Sequence, residues 1–146
     1  MCQWLAEQGV VMIEQPMPKH MNEEHAWLCE QVNLPILADE ACQTYDDVEK
    51  LAPYYDGINI KLMKCGGVAE ARKMISLARE LDMQVMIGCM TETRAGISAA
   101  TILSPLVDYA DLDGHVLIAN DPYDGIQIVD GKLTLVDKPG TGVSPL

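Results

Sequence analysis

Short apolar runs alternate along the chain with longer amphipathic stretches. The apolar runs cover residues 11–13, 34–37, 57–60, 84–87 and 109–112. Between them, apolar positions at helical spacing cover residues 22–32, 44–51, 68–81 and 93–103. The pattern predicts five strands, each followed by a helix or a loop, with Asn22 and Thr44 as helix N-caps.

Each predicted strand ends in a polar residue or glycine, and these ends recur at nearly constant spacing. Glu14, Asp39, Lys61, Gly88 and Asp111 follow one another at intervals of 22 to 27 residues. A repeat of strand plus helix at this spacing predicts parallel strands, in either a doubly wound sheet or a (β/α)₈ barrel. The pair Gly66-Gly67 does not form the GxGxxG fingerprint, so a dinucleotide site loses its main support.

Residues two apart in a strand share a face, and the two faces of these strands differ in polarity. The apolar set is Val11, Ile13, Ile36, Ala38, Ile58, Ile60, Ala110 and Leu112. We expect this set to pack on the helices and the other face to carry the charged strand ends, as in barrel enzymes. After Asp113, residues 126–129 and 133–136 flank Asp130-Gly131, which predicts a hairpin. We therefore divide the chain into a partial barrel, residues 1–119, and a hairpin with a tail, residues 120–146.

Composition narrows the class of protein. The chain is 49% hydrophobic and has a formal net charge of −12, which disfavours binding to nucleic acid or to an anionic membrane. No apolar run approaches the roughly 20 residues that a membrane-spanning helix needs. Five cysteines without CxxC spacing and three scattered histidines predict reduced thiols and no zinc site. We expect a cytoplasmic protein.

Three motifs at successive strand ends carry a family resemblance. They are Ile13-Glu14-Gln15-Pro16, Ala38-Asp39-Glu40 and Lys61-Leu62-Met63-Lys64-Cys65-Gly66-Gly67. In this order and at this spacing they resemble the muconate-lactonizing branch of the enolase superfamily, over essentially the whole chain. The resemblance implies that Glu14 and Asp39 bind Mg²⁺, that Lys61 is an acid/base catalyst at the substrate α-carbon, and that the hairpin belongs to a capping region.

The chemistry of that superfamily agrees with these residue types. Removing a proton alpha to a carboxylate creates a dianion, which requires a hard cation and a positioned base. Carboxylates suit Mg²⁺, and burial beside a metal predicts a lowered pKa for Lys61. We expect Lys64 to face solvent and Glu40 to play a supporting, structural role.

The residues that indicate the class of substrate are Asp111-Leu112-Asp113 at the last predicted strand. We expect both aspartates to point inward. Two neighbouring carboxylates repel each other unless a cation lies between them, and the α-ammonium of a dipeptide is such a cation. Dipeptide epimerases, the Ala-Glu epimerases among them, are similar to this chain in a DxD at that place. The resemblance implies an isomerase that moves a proton at the α-carbon of the second residue of Ala-Glu-like dipeptides.

The chain also departs from the superfamily pattern. Barrels of that superfamily carry Lys-x-Lys on the second strand, an aspartate ligand on the third, and an N-terminal capping domain, none of which we find here. We expect this chain to be inactive alone, to form oligomers, and to need a missing N-terminal half from a longer chain or a second chain. Two alternatives stay open: part of a muconate cycloisomerase or o-succinylbenzoate synthase, and a non-catalytic half-barrel that assembles with another chain.

Overall fold

The computed structural model describes residues 1–146, which form one five-stranded parallel sheet with helices on one side. The strands are β1 (Ile13–Glu14), β2 (Ile36–Ala38), β3 (Gly57–Lys61), β4 (Gln84–Gly88) and β5 (Tyr109–Ala110). They lie in the order of the sequence, and each pairs in parallel with the next. A doubly wound sheet reverses its strand order at a switch point, so this uninterrupted order corresponds to a barrel segment. The predicted class is confirmed.

Helices connect the strands. They are α1 (Cys2–Glu7), α2 (Asn22–Gln31), α3 (Tyr45–Leu51), α4 (Leu62–Cys65), α5 (Val68–Glu80) and α6 (Arg94–Thr101). Two 3₁₀ helices cover Ser104–Leu106 and Gly114–Leu117. Thr44 is confirmed as an N-cap, in a capping box with Asp47. The prediction for Asn22 was wrong: Met21 is the N-cap, Asn22 is already helical, and no side chain caps this end.

The core lies between the sheet and its helices. From the strands it contains Ile13, Ile36, Ala38, Ile58, Ile60, Val85 and Ile87, together with Leu112 beyond β5. These residues confirm the predicted apolar face. Val11 and Ala110 are exceptions, because both are exposed. Val11 is 66% exposed since β1 begins only at Ile13, and Ala110 ends the edge strand β5.

The C-terminal segment forms two small antiparallel pairs. Its strands are β6 (Tyr123–Asp124), β7 (Gln127–Val129), β8 (Lys132–Thr134) and β9 (Ser144–Pro145), paired as β6–β9 and β7–β8. Asp130 and Gly131 link β7 to β8 with positive φ angles of 50° and 74°, as in a type I′ turn. The predicted hairpin is confirmed, and the β6–β9 pair was not foreseen. None of the helices combines the length and the apolar character that crossing a membrane requires.

Candidate active site at the carboxyl ends of the strands

Glu14, Asp39 and Lys61 meet where three adjacent strands end. The Lys61 Nζ lies 2.7 Å from the Asp39 Oδ2, and the Asn59 side-chain amide donates a hydrogen bond to the Glu14 Oε1. Asp39 is buried, and Lys61 is largely so. Parallel pairing of β1, β2 and β3 brings these ends to one edge of the sheet, so the three residues predicted from the sequence are neighbours in space.

Lys64 joins this group, contrary to the expectation that it faces solvent. Its Nζ donates to the Asp39 Oδ1 at 2.7 Å, to the Asp39 carbonyl at 2.6 Å and to the Asn59 carbonyl at 3.1 Å. The expectation was wrong because the chain leaves the strand at Lys61 and turns helical in α4, where residues three apart share a face. The Lys-x-x-Lys spacing before Gly66-Gly67 is the signal that could have revealed it. We call Glu14, Asp39, Lys61 and Lys64 the strand-end cluster.

A second residue missed by the sequence reasoning, Gln15, fixes the backbone beside Asp39. Its side-chain Oε1 accepts hydrogen bonds from the N–H groups of Asp39 and Ala41, both at 2.9 Å. Gln15 itself has a φ of 25°, in a sparsely populated region for a residue other than glycine. Glu40, for which we expected the structural role, is instead exposed and makes no side-chain hydrogen bond.

Asn59 is the third such residue, and its place depends on Gly88. Asn59 is only 1% exposed on β3, two residues before Lys61, where it reaches Glu14 across the sheet. Gly88 pairs with Lys61 on the neighbouring strand, and a Cβ at Gly88 would lie 2.5 Å from the Asn59 Oδ1. Glycine at this position therefore leaves room for the amide that holds Glu14.

The charges of the strand-end cluster shift one another's pKa values. Burial raises the pKa of Glu14. The hydrogen bond from Asn59 lowers this pKa and the nearby charge of Asp39 raises it, so the net shift is upward. Burial also acts to raise the pKa of Asp39, but the two lysines lower it by a larger amount. For Lys61, burial lowers the pKa, and the carboxylates of Asp39 and Glu14 outweigh it, so the net shift is upward. The expected lowering of the Lys61 pKa included the charge of a neighbouring metal ion as well as burial, and for the metal-bound site it stays a prediction.

Asp111 and Asp113, which we call the aspartate pair, lie just beyond β5. The strand ends at Ala110, two residues earlier than predicted, so strand alternation does not set their direction, and both are exposed. They nevertheless line one cavity of about 310 Å³ together with Ile128 and Leu133 of the β7–β8 hairpin. Neither carboxylate forms a salt bridge within the chain.

A parallel sheet in sequential order, with acidic and basic side chains at its carboxyl edge, defines part of a (β/α) barrel. The family model described as enolase C-terminal domain-like matches residues 1–146, and the chain belongs to that family.

Known relatives are longer than this chain. It is 56% identical over 143 residues to the L-Ala-D/L-Glu epimerase of Bacteroides thetaiotaomicron, a match that covers 98% of this chain and 37% of that enzyme. A mandelate racemase/muconate lactonizing protein from Herpetosiphon aurantiacus has a TM-score of 0.89 at 33% identity, over 99% of this chain and 43% of that one. A dipeptide epimerase from Enterococcus faecalis was crystallised with Mg and the dipeptide L-Leu-L-Tyr. It has a TM-score of 0.88 at 36% identity, over 97% of this chain and 42% of that enzyme. The chain thus spans about two fifths of the length of these relatives.

Proposed function

We propose that this chain forms the C-terminal part of the barrel of a Mg²⁺-dependent dipeptide epimerase. The observation that carries the proposal is the meeting of Glu14, Asp39 and Lys61 at the carboxyl ends of three adjacent strands. Such an edge is where barrel enzymes hold their reacting groups. The identity to the Bacteroides epimerase and the likeness to the Mg-bound Enterococcus enzyme support this choice of reaction and metal.

Glu14 and Asp39 are the residues that would hold Mg²⁺. The donor set fits a hard cation, because it consists of carboxylate oxygens close enough that the charge of Asp39 raises the pKa of Glu14. When bound, the metal would stabilise the negative charge that develops on the substrate carboxylate. Residues 1–146 contain no group of three or more acidic, histidine or cysteine side chains suited to a metal. The proposal therefore includes a further ligand from polypeptide outside these residues.

Lys61 would transfer the proton on one face of the substrate α-carbon. Its Nζ lies at the sheet edge beside Asp39. As an ammonium group Lys61 delivers a proton to carbon, and as an amine it removes one. Epimerisation needs a second group on the opposite face, and the 146 residues contain no Lys-x-Lys that could supply it. We assign that group to polypeptide outside this chain.

The aspartate pair would bind the α-ammonium of the dipeptide. Asp111 and Asp113 line the same cavity and have no cationic partner within the chain, so both carboxylates are free to accept charge-assisted hydrogen bonds. Proton transfer at the second residue then requires the dipeptide to extend from this pair toward Lys61. A free amino terminus is the substrate feature that the proposal demands.

The test compares free with N-acetylated Ala-Glu on the full-length protein that carries this chain. Acetylation should lower kcat/KM by about 10- to 100-fold, because hydrogen bonds to charged groups contribute about 1.5–3 kcal/mol. Asp111→Asn and Asp113→Asn should lose a similar factor on the free dipeptide. Asp46→Asn, which changes an exposed aspartate in the first turn of α3, is the matched control and should change nothing.

Three results would contradict the assignment. Equal rates on free and acetylated dipeptides would remove the ammonium-binding role of the aspartate pair. Turnover of a muconate-type substrate alone would indicate the cycloisomerase branch. No turnover of any of these substrates by the Mg²⁺-supplied protein would favour a non-catalytic half-barrel.

A further inference from the structure

Lys64 is a buried ammonium whose hydrogen-bonding capacity is fully used. A lysine has three N–H donors, and the Nζ of Lys64 meets three acceptors: the Asp39 Oδ1, the Asp39 carbonyl and the Asn59 carbonyl. Only 6% of its side chain is exposed. Because a buried charge is tolerated only when it is paired and hydrogen-bonded, this geometry ties the end of β2 to β3.

The contacts of Lys64 divide the two carboxylate oxygens of Asp39 between two lysines. Oδ1 accepts from Lys64 and Oδ2 accepts from Lys61, each at 2.7 Å. Lys64 also holds the Asp39 carbonyl, so the backbone and the carboxylate of Asp39 are anchored by one ammonium. With Oδ1 fixed in this way, the carboxylate cannot turn about its own axis, and Oδ2 alone is presented toward Lys61.

We infer that Lys64 is a positioning residue, which fixes Asp39 so that a single carboxylate oxygen faces Lys61 and the reaction centre. The catalytic meaning of this inference rests on the proposed function. Without Lys64, the Asp39 carboxylate is free to offer both oxygens to Lys61. Lys61, which now pairs with Oδ2, would then pair with either oxygen, and its position for proton transfer would no longer be fixed.

Removal of Lys64 should affect Mg²⁺ binding and proton transfer differently. This difference distinguishes a positioning role of Lys64 from a general structural role. Loss of one positive charge makes the site more attractive to any cation. Loss of the three hydrogen bonds leaves Asp39, and with it Lys61, less well placed. Positioning therefore predicts slower proton transfer without weaker binding of Mg²⁺, whereas general loosening of the site weakens both.

The variant Lys64→Met, which has nearly the same length without the charge, tests this split in the full-length protein. We expect kcat for epimerisation to fall about 10- to 100-fold, the cost typical of a small misplacement of a reacting group. Calorimetry should show a Mg²⁺ Kd that is unchanged or tighter. The control Lys73→Met removes an exposed lysine that pairs with Glu70, and it should alter neither quantity. An unchanged kcat, or a Kd that weakens in step with kcat, would overturn the inference.

A second measurement needs neither metal nor turnover. Urea unfolding in EDTA is compared for Lys64→Met, Asp39→Asn and the double variant. If Lys64 acts on Asp39, the midpoint shift of the double variant is smaller than the sum of the single shifts, and additive shifts would refute the contact. Should Lys64→Met fail to fold, Lys64→Gln, which keeps an N–H donor without the charge, is judged by the same criteria. If the wild-type protein had no epimerase activity, the proposed function would be refuted. The non-additivity of the Lys64→Met and Asp39→Asn shifts would still test whether Lys64 fixes Asp39.

Discussion

Replacing Gly88 by alanine should disturb Glu14 from the neighbouring side of the sheet. The new Cβ would lie 2.5 Å from the Oδ1, 2.8 Å from the Nδ2 and 3.0 Å from the Cγ of Asn59. These distances are shorter than a van der Waals contact, so Asn59 must move. It is buried and bonded to Glu14, and therefore it cannot move without breaking that hydrogen bond.

The size of the effect follows from these contacts. Overpacking of a filled interior costs about 1–3 kcal/mol, and a lost hydrogen bond to a carboxylate costs about 1.5–3 kcal/mol. We expect Gly88→Ala to lower the free energy of unfolding by about 2–4 kcal/mol. Asn59→Ala loses the same hydrogen bond but removes the clashing amide. Adding Gly88→Ala to Asn59→Ala should therefore cost about 1 kcal/mol or less, so the two changes are strongly non-additive.

The assay is urea unfolding of the full-length protein in EDTA, for both single variants and the double variant. Gly96→Ala is the matched control. The three atoms nearest to its Cβ would all belong to the flexible Glu92 side chain, and alanine is favoured over glycine within α6. A Gly88→Ala variant as stable as the wild type, or a double variant that loses the full sum, would show that Asn59 is not confined by Gly88.

Other predictions follow from the same structure. Glu14→Gln should weaken Mg²⁺ binding at least about 10-fold in calorimetry, a loss of about 1.4 kcal/mol, and an unchanged affinity would exclude Glu14 as a ligand. Lys61→Ala should abolish epimerisation while deuterium exchange at the α-carbon of one epimer survives, and full turnover by this variant would exclude Lys61 as a catalyst. Burial acts to raise the pKa of Asp47, but hydrogen bonds from the Thr44 and Gln43 N–H groups outweigh it and lower the pKa. The stability advantage of the wild type over Asp47→Asn should therefore be complete above about pH 5 and disappear as the pH falls through the lowered folded-state pKa, and a pH-independent difference would contradict this. Residues 1–146 expressed alone should self-associate through the free edges of β1 and β5, and a monodisperse, cooperatively melting monomer would argue against it.

The repeat along the chain was enough to predict the sheet, because buried parallel strands must be apolar and must be separated by helices long enough to cover them. Strand alternation places Lys61, the last residue of β3, on the charged face, whereas Asp39 follows directly after β2 and was assigned from the family resemblance. Alternation gives no direction to side chains beyond the end of a strand. Asp111 and Asp113 lie past the end of β5, where no alternation applies.

The residues that support the site were missed for a different reason, which is that their contacts are distant in sequence. Gln15, Asn59 and Lys64 act through contacts to residues 24 to 45 positions away, and those contacts exist only after β1, β2 and β3 have paired. Their own sequence environment resembles that of ordinary loop or strand residues. Only Lys64 left a local sign, its helical spacing from Lys61 ahead of two glycines whose φ angles are 92° and 127°.

The two halves of the proposed site differ in charge, and this difference bears on how a dipeptide would lie in it. The strand-end cluster contains two carboxylates and two ammonium groups, so its formal charge is zero before any metal binds. The aspartate pair carries a formal charge of −2 and has no cation beside it within the chain. A divalent cation would make the first half positive and leave the second half negative. The field between them would then draw the substrate's carboxylate toward the cluster and its α-ammonium toward the aspartate pair, which is the orientation that proton transfer by Lys61 at the second residue requires.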